Sequence, residues 1–254
     1  MQFVRFENKK KEINYGILKN NQIAKIKGSI FEDYTVTDEL YQVEDVKLLC
    51  PTEPNNIYCV GLNFLEHIEE LDLLTPEVPA NFLKPVSSLI NPSEIIYRPK
   101  VAKRVDYEGE MALVIKDKIK NVEPDEALQH VLGITPLNDV TEREMSYTST
   151  QVTYSKSFDT FTCFGPVIDT EIDPEKATVR TYLNGERVQE GNTSDFVFSC
   201  AEIISYFSKS RTLYPGDIVS TGTPSNVAPM FHGDIIEIEI DGIPLKCKNF
   251  VEDE

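Results

Sequence analysis

Residues 105–115 read VDYEGEMALVI, an acidic opening that passes without interruption into an apolar run. In an extended strand alternate residues share a face, so Glu108 and Glu110 point the same way and Ala112 and Val114 continue that face. The two carboxylates thus stand at the end of an otherwise buried stripe. Neighbouring anions facing inward are costly unless a cation or protons neutralise them. Gly109 between them removes bulk where another group can approach.

Working outward, residues 131–139, VLGITPLND, read as a second strand that closes on Asp139, a third carboxylate able to converge on the pair. Such oxygen ligands favour a hard cation, Mg²⁺ or Mn²⁺, and three monodentate carboxylates leave about three octahedral positions for water and substrate. The alternative is a solvated edge strand with ordinary surface acids, because Glu-x-Glu on a strand is a weak signal by itself.

The rest of the chain frames this segment with more strands. Asn184-Gly185 lies between TVRTYL and ERVQEG, and Asp241-Gly242 between DIIEIEI and IPLKCKNF, both dipeptides of tight hairpins. Helices are fewer: PDEALQHVLG reads as one, and Ser199 with Glu202 matches the capping box of another before IISYFSK. Residues 1–50 form a small β unit of short alternating strands (MQFVRFE, NYGILKN, QIAKIKG), and Pro51 and Pro54 mark its boundary with the unit 51–254. The expected fold is mostly β with α, an α+β catalytic domain with peripheral helices and a small N-terminal β domain.

Composition narrows the function. The 254 residues, 41% hydrophobic and 26% charged, suffice for a sizeable core. A net charge of −17 repels phosphate backbones and argues against nucleic acid. It also means that a site for an acidic substrate must carry local positive charge. No apolar run approaches the roughly 18 residues that span a bilayer, and the N-terminus lacks the apolar stretch of a secretion signal, so a cytoplasmic protein without membrane partners is expected. Cys50, Cys59, Cys163, Cys200 and Cys247 form no CxxC pair and read as buried thiols.

Taken in order, GLNFLEH (61–67), NFLKP (81–85), VDYEGEMALVI (105–115), NDVTERE (138–144), KSFDTF (156–161), NGERVQ (184–189), YPGD (214–217) and TGTP (221–224) resemble the fumarylacetoacetate hydrolase family over about residues 50 to 250. The resemblance implies a distorted β-sandwich or roll, usually a homodimer, with Glu108, Glu110 and Asp139 as metal ligands. It implies that His67 and Glu70 form a catalytic pair on a lid running to about Pro79. The spacing i, i+3 puts them on one helical face, although the neighbouring acids also suit a merely solvated helix. Lys156 is implied beside the metal and Arg143 close by, where they suit an enolate oxygen and a carboxylate; Thr223 is implied as a substrate-binding hydroxyl. Lys84 is a weaker candidate. His130 and His232 are assigned to structure or surface. The family's N-D-V-T-A-R-D continues differently here, with Glu142, Glu144, Met145 and Ser146.

The expected activity is divalent-metal-dependent hydrolysis of a C–C bond in a 2-oxo or 2,4-dioxo acid of the acylpyruvate or fumarylacetoacetate type. The alternatives are decarboxylation of oxaloacetate, isomerisation or hydration of a ring-cleavage oxo-dicarboxylate on the same site, and a non-catalytic metal- or sugar-binding β module.

Overall fold

The computed structural model of the chain describes residues 1–148 and 150–254. The apolar run becomes the strand Gly109–Ile115, buried at every residue. A strand covered on both faces needs apolar side chains pointing both ways. Here Met111, Leu113 and Ile115 enter one core cluster, while Ala112 and Val114 enter another. The carboxylate-bearing face is that of Ala112 and Val114, as the alternation requires.

Gly109–Ile115 pairs antiparallel with Val131–Asp139 on one side and Ile218–Ser220 on the other. These three lie inside a sheet of thirteen strands among the described residues. One end of the sheet runs through Ile57–Gly61 to Ala80–Lys84. The other runs through Val167–Asp169 and Gln2–Glu7, then Ile13–Lys19 and Gln22–Gly28, to Tyr34–Gln42. The three strands expected in residues 1–28 are present, and Tyr34–Gln42 is added to them. They continue the large sheet, because Gln2–Glu7 pairs with Val167–Asp169, and Val4, Phe6, Leu18 and Ile23 join the same core cluster as Met111.

A second layer of five strands packs against the first, in the order Glu186–Asn192, Thr178–Leu183, Ile235–Ile240, Cys247–Asp253 and Ile95–Arg98. Val179, Ile236, Ile238 and Ile240 meet Met111, Leu113 and Ile115 between the layers. Each such side chain contributes about 1.5–3 kcal/mol on burial. At Gly109 the layers come too close for any side chain: a Cβ there would stand 1.9 Å from Thr181 Oγ1.

The turns follow their chemistry. Asn184 and Gly185 adopt φ of 53° and 85°, the left-handed pair that a two-residue hairpin requires. Asp241-Gly242 also turns, with Ile243 N–H donating to Ile240 O at 3.0 Å. The ladder resumes only at Ile238 opposite Cys247, so that connection is longer than a tight hairpin. The capping box is present: the Ser199 hydroxyl accepts the Glu202 N–H at 3.3 Å and the Glu202 carboxylate accepts the Ser199 N–H at 2.9 Å. The helix that follows, Cys200–Ser210, buries Cys200, Ile203, Ile204 and Phe207, one face at helical spacing.

The helix expected over PDEALQHVLG is shorter than its pattern. One turn, Pro124–Ala127, tightens into a 3₁₀ segment, Leu128–His130, and Val131 already belongs to the long strand. Gly133 is needed there as a strand residue, since a Cβ would stand 2.2 Å from Asp169 O. All five cysteines are free and buried. No helix among the described residues is long and apolar enough to cross a membrane.

Candidate active site

The register of two strands builds the site. Gly109 lies opposite Asn138, which places Glu108 beside Asp139 and turns Glu110 into the same space. Glu108 stands just before the regular strand and is fixed by its backbone: its carbonyl accepts the Asp139 N–H at 2.9 Å, and its N–H donates to Asn138 Oδ1 at 3.2 Å. One carboxylate oxygen each from Glu108, Glu110 and Asp139 lies within 4.8 Å of the others, all three residues buried. The short ladder of Val105–Asp106 with Thr141–Glu142 folds the chain after Asp139 back over the chain before Glu108. Asp106 and Arg143 thereby enter the same cluster.

Positive charge surrounds the carboxylates. Lys156 Nζ bridges Glu108 at 2.7 Å and Asp139 at 2.6 Å. Lys84 pairs with the other Asp139 oxygen and donates to Val140 O at 3.1 Å. Arg143 pairs with Glu108 and, at 3.0 Å, with Asp106, which Arg104 also meets at 2.8 Å. Three acids, Glu108, Asp139 and Asp106, are thus paired with cations, and Lys84, Lys156 and Arg143 are buried with them, where Coulomb interactions are strong. Burial pushes the Glu108 carboxyl up, but Lys156 and Arg143 outweigh it and hold it far below the usual range. Burial pulls Lys156 down, yet Asp139 and Glu108 hold its ammonium above the ordinary lysine value.

Glu110 is different. Its hydrogen-bond donors are neutral, the Ser220 hydroxyl and the Gly222 N–H at 2.9 Å. Burial, with the charges of Asp139 and Glu108 beside it, pushes its carboxyl up to about 8. A carboxylate that lacks a cation, beside two others that converge with it, is what a hard divalent ion would satisfy. The donor set therefore fits Mg²⁺ or Mn²⁺, and its oxygens suit such ions better than softer metals.

The proposed catalytic pair lies on the helix Leu65–Glu70. His67 is buried there, with Nδ1 2.9 Å from Glu70 Oε2 at the expected i, i+3 spacing. A carboxylate on Nδ1 fixes a proton there and leaves Nε2 as the basic nitrogen. A protonated His67 is close enough to lower the Glu108 pKa. A helix this short does not persist alone in water. It is held from outside: the other Glu70 oxygen accepts the Asn226 N–H at 2.9 Å, Glu66 accepts the Ser225 hydroxyl at 3.3 Å, and Phe64 stacks edge-on to Phe196 at 4.7 Å. Beyond it Leu74 is 92% exposed.

Glu108, Glu110, Asp139, Lys156 and Arg143 are thus brought together, and His67 and Glu70 form their pair beside them. Thr223 is tied into the wall, donating to Gly109 O at 3.0 Å and accepting from Gln189 Nε2 at 3.0 Å. Lys84, the weakest sequence candidate, is fully buried on Asp139. Ser220 and Gln189 escape local pattern, meeting Glu110 and Gly109 across 110 and 80 residues, and only the motif NGERVQ hints at Gln189; Asp106 meets Arg143 across 37 residues and Arg104 two positions away. His130 and His232 lie apart from the carboxylates, on Asp117 and on the Asp253 backbone.

Both parts of the chain have counterparts among known proteins. Residues 56–251 match the family described as fumarylacetoacetate (FAA) hydrolase, C-terminal, and residues 1–51 that described as Rv2993c-like, N-terminal. The uncharacterized protein MJ1656 of Methanocaldococcus jannaschii is 46% identical over 202 residues, covering 80% of this chain and 85% of that one. The mitochondrial oxaloacetate tautomerase FAHD2A of Homo sapiens is 36% identical over 210 residues, covering 78% of this chain and 67% of that one. The crystal structure of 5-carboxymethyl-2-hydroxymuconate delta-isomerase from Mycobacterium smegmatis superposes with a TM-score of 0.93 at 31% identity, over 100% of both chains.

Proposed function

This chain belongs to the fumarylacetoacetate hydrolase family, and on that premise we propose that it moves a proton at C3 of a small 2-oxo dicarboxylic acid, interconverting its enol and keto forms with the help of a divalent metal. The observation that carries the proposal is the buried His67, held at 2.9 Å by Glu70 and near enough to Glu108 to act on its charge. Relatives named for tautomerase and isomerase activity support it.

Glu108, Glu110 and Asp139 would hold Mg²⁺ or Mn²⁺, which supplies a Lewis acid that polarises the 2-oxo group and makes the C3 proton easier to remove. His67 Nε2 takes or returns that proton, while Glu70 keeps the Nδ1 proton in place and steadies the imidazolium. Lys156 and Lys84 hold the carboxylates together and offset their charge, so a second anion can approach a site in a strongly acidic protein. Arg143, already shared between Glu108 and Asp106, orders the wall through which a substrate carboxylate is recognised. The substrate's remote carboxylate and the homodimer implied by the family belong to this proposal.

The same dyad favours a second reading, hydrolysis of the C3–C4 bond of a 2,4-dioxo acid, because an imidazole oriented by a carboxylate activates water as well as it accepts a proton from carbon. One experiment separates the two. Ketonisation of enol-oxaloacetate and cleavage of acylpyruvates are followed by ultraviolet absorbance with Mn²⁺ present, for the wild type and His67→Ala. Proton transfer at C3 predicts accelerated ketonisation that falls about 10²- to 10⁴-fold in the variant. Acylpyruvate cleavage without accelerated ketonisation moves the assignment to the hydrolase. Mn²⁺ binding with neither activity overturns both.

A further inference from the structure

Gln189 lies on the strand Glu186–Asn192 of the smaller sheet, and its buried amide reaches across to the large one. Its Oε1 accepts the N–H of Gly109, the residue between the two glutamates, at 3.1 Å. Its Nε2 donates to Thr223 Oγ1 at 3.0 Å, Pro224 O at 2.8 Å and Ser225 O at 3.2 Å. A primary amide is the side chain that offers an acceptor and two donors from one rigid plane.

Tyr107 makes a second tie on the other side of Glu108. Its hydroxyl donates to Asn226 O at 3.0 Å and its N–H donates to Ala228 O at 3.2 Å. Residues 107 and 109, which flank a proposed ligand, are therefore both fastened to the turn 223–228. The outer side of that turn carries the helix Leu65–Glu70 through Asn226 N–H on Glu70 and the Ser225 hydroxyl on Glu66. Asn226 sits at φ 70°, a left-handed conformation that asparagine tolerates better than most residues.

We infer that Gln189 and Tyr107 are positioning residues that lock the turn 223–226 into a latch, and that this latch sets the His67–Glu70 pair against the carboxylate cluster. The inference deepens the proposed function and rests on its reading of His67 as the base. It assigns to a buried glutamine and a buried tyrosine, neither of which touches the proposed ligands' oxygens, control over where the base stands.

The test uses the full chain with Gln189→Leu, which removes every amide bond at similar volume, and Tyr107→Phe, which deletes one hydroxyl and keeps the fold testable should the first variant not fold. Hydrogen exchange is followed over 65–73 and 224–228, Mn²⁺ affinity by direct titration, and turnover in the wild-type and His67→Ala backgrounds. A latch predicts faster exchange in both segments, by about fivefold for the single bond lost in Tyr107→Phe, with Mn²⁺ affinity unchanged. Turnover falls in the wild-type background and not further in His67→Ala, since the variants act through that side chain. Unchanged exchange at 65–73 in the folded variants overturns the inference. So does a loss of Mn²⁺ affinity together with an additive loss in His67→Ala, the signature of a merely structural role. Should His67→Ala itself leave turnover intact, the proton-transfer reading falls, while exchange and Mn²⁺ titration still decide the latch.

Discussion

Two clusters of opposite charge occupy this molecule, built from the same residue types. Around Arg180, on the outer face of the small sheet, Glu190, Glu239 and Asp241 converge on one guanidinium, and the carboxylate side chains are 24–53% exposed. Around Asp139, Lys84 and Lys156 are 0% and 6% exposed and Asp139 is 1% exposed. Water screens the first group, so its geometry is tolerant and its contribution small. The second has lost its hydration and must be complete, because any charge left alone there faces a low-dielectric interior. The one carboxylate without a cation in the buried group, Glu110, is the one whose proton is held up to about 8. Completeness that stops one cation short is what points to chemistry there.

The largest expected effect comes from Glu110→Gln. The substitution removes a proposed ligand and no ion pair, so Mn²⁺ binding by titration and turnover should both disappear. The thermal midpoint of the metal-free protein should not fall, since Glu110 is repelled by Asp139 and Glu108. A variant that still binds Mn²⁺ with wild-type affinity would remove Glu110 from the ligand set.

Next in size is Lys84→Met, which keeps the apolar stem and deletes the ammonium that Asp139 and the Val140 carbonyl share. Removing one member of a buried pair costs about 3–5 kcal/mol. Denaturant unfolding with a chelator present measures it without interference from metal. A loss below about 1 kcal/mol would put the buried cluster in the same class as the exposed one.

That Lys84 matters was hardly legible in NFLKP, whereas Glu108 and Glu110 were. The alternation of 105–115 is local, and so is the capping box of Ser199, the Asn184-Gly185 turn and the i, i+3 pairing of His67 with Glu70. Each is decided by residues a few positions apart. Lys84 meets Asp139 across 55 residues, and Gln189 meets Gly109 across 80. Such partners are chosen by strand order, which short-range pattern does not encode. The helix over PDEALQHVLG was over-read for the related reason that strand pairing claimed Val131 onward. Glu142, read only as a departure from the family pattern, is buried and accepts the N–H groups of Lys103, Arg104 and Met145, so it anchors the start of the helix Arg143–Thr148.

Between the two clusters in size lies a neutral reference, Ser199→Ala. It removes one half of the capping box of Cys200–Ser210, and helix caps of this kind contribute about 1 kcal/mol. Urea unfolding should show that loss with unchanged Mn²⁺ affinity, which calibrates the scale on which the charged variants are read. An effect as large as that of Lys84→Met would mean that helix entry, and not buried charge, limits the fold.

The smallest effect is expected from Arg180→Met, which preserves packing of the side-chain stem while abolishing three ion pairs at once. Counted as contacts, Arg180 outranks Lys84, since it meets three carboxylates and Lys84 meets one. Exposure reverses the ranking. Each partner of Arg180 can exchange the guanidinium for water, and ordering a long side chain among them offsets part of the Coulomb gain. The three carboxylates also repel one another once the arginine is gone, so the loss should be small but not zero. In a chain of this size the thermal midpoint should fall by less than about 3 °C. Salt then distinguishes the clusters: near 1 M the screening length is about 3 Å, so the Arg180→Met difference should shrink toward nothing. The Lys84→Met difference should persist, because ions do not reach Asp139. Melts of both variants at low and high salt decide the matter, and an Arg180→Met loss that matched Lys84→Met and resisted salt would show that contact number, not burial, governs charge in this fold.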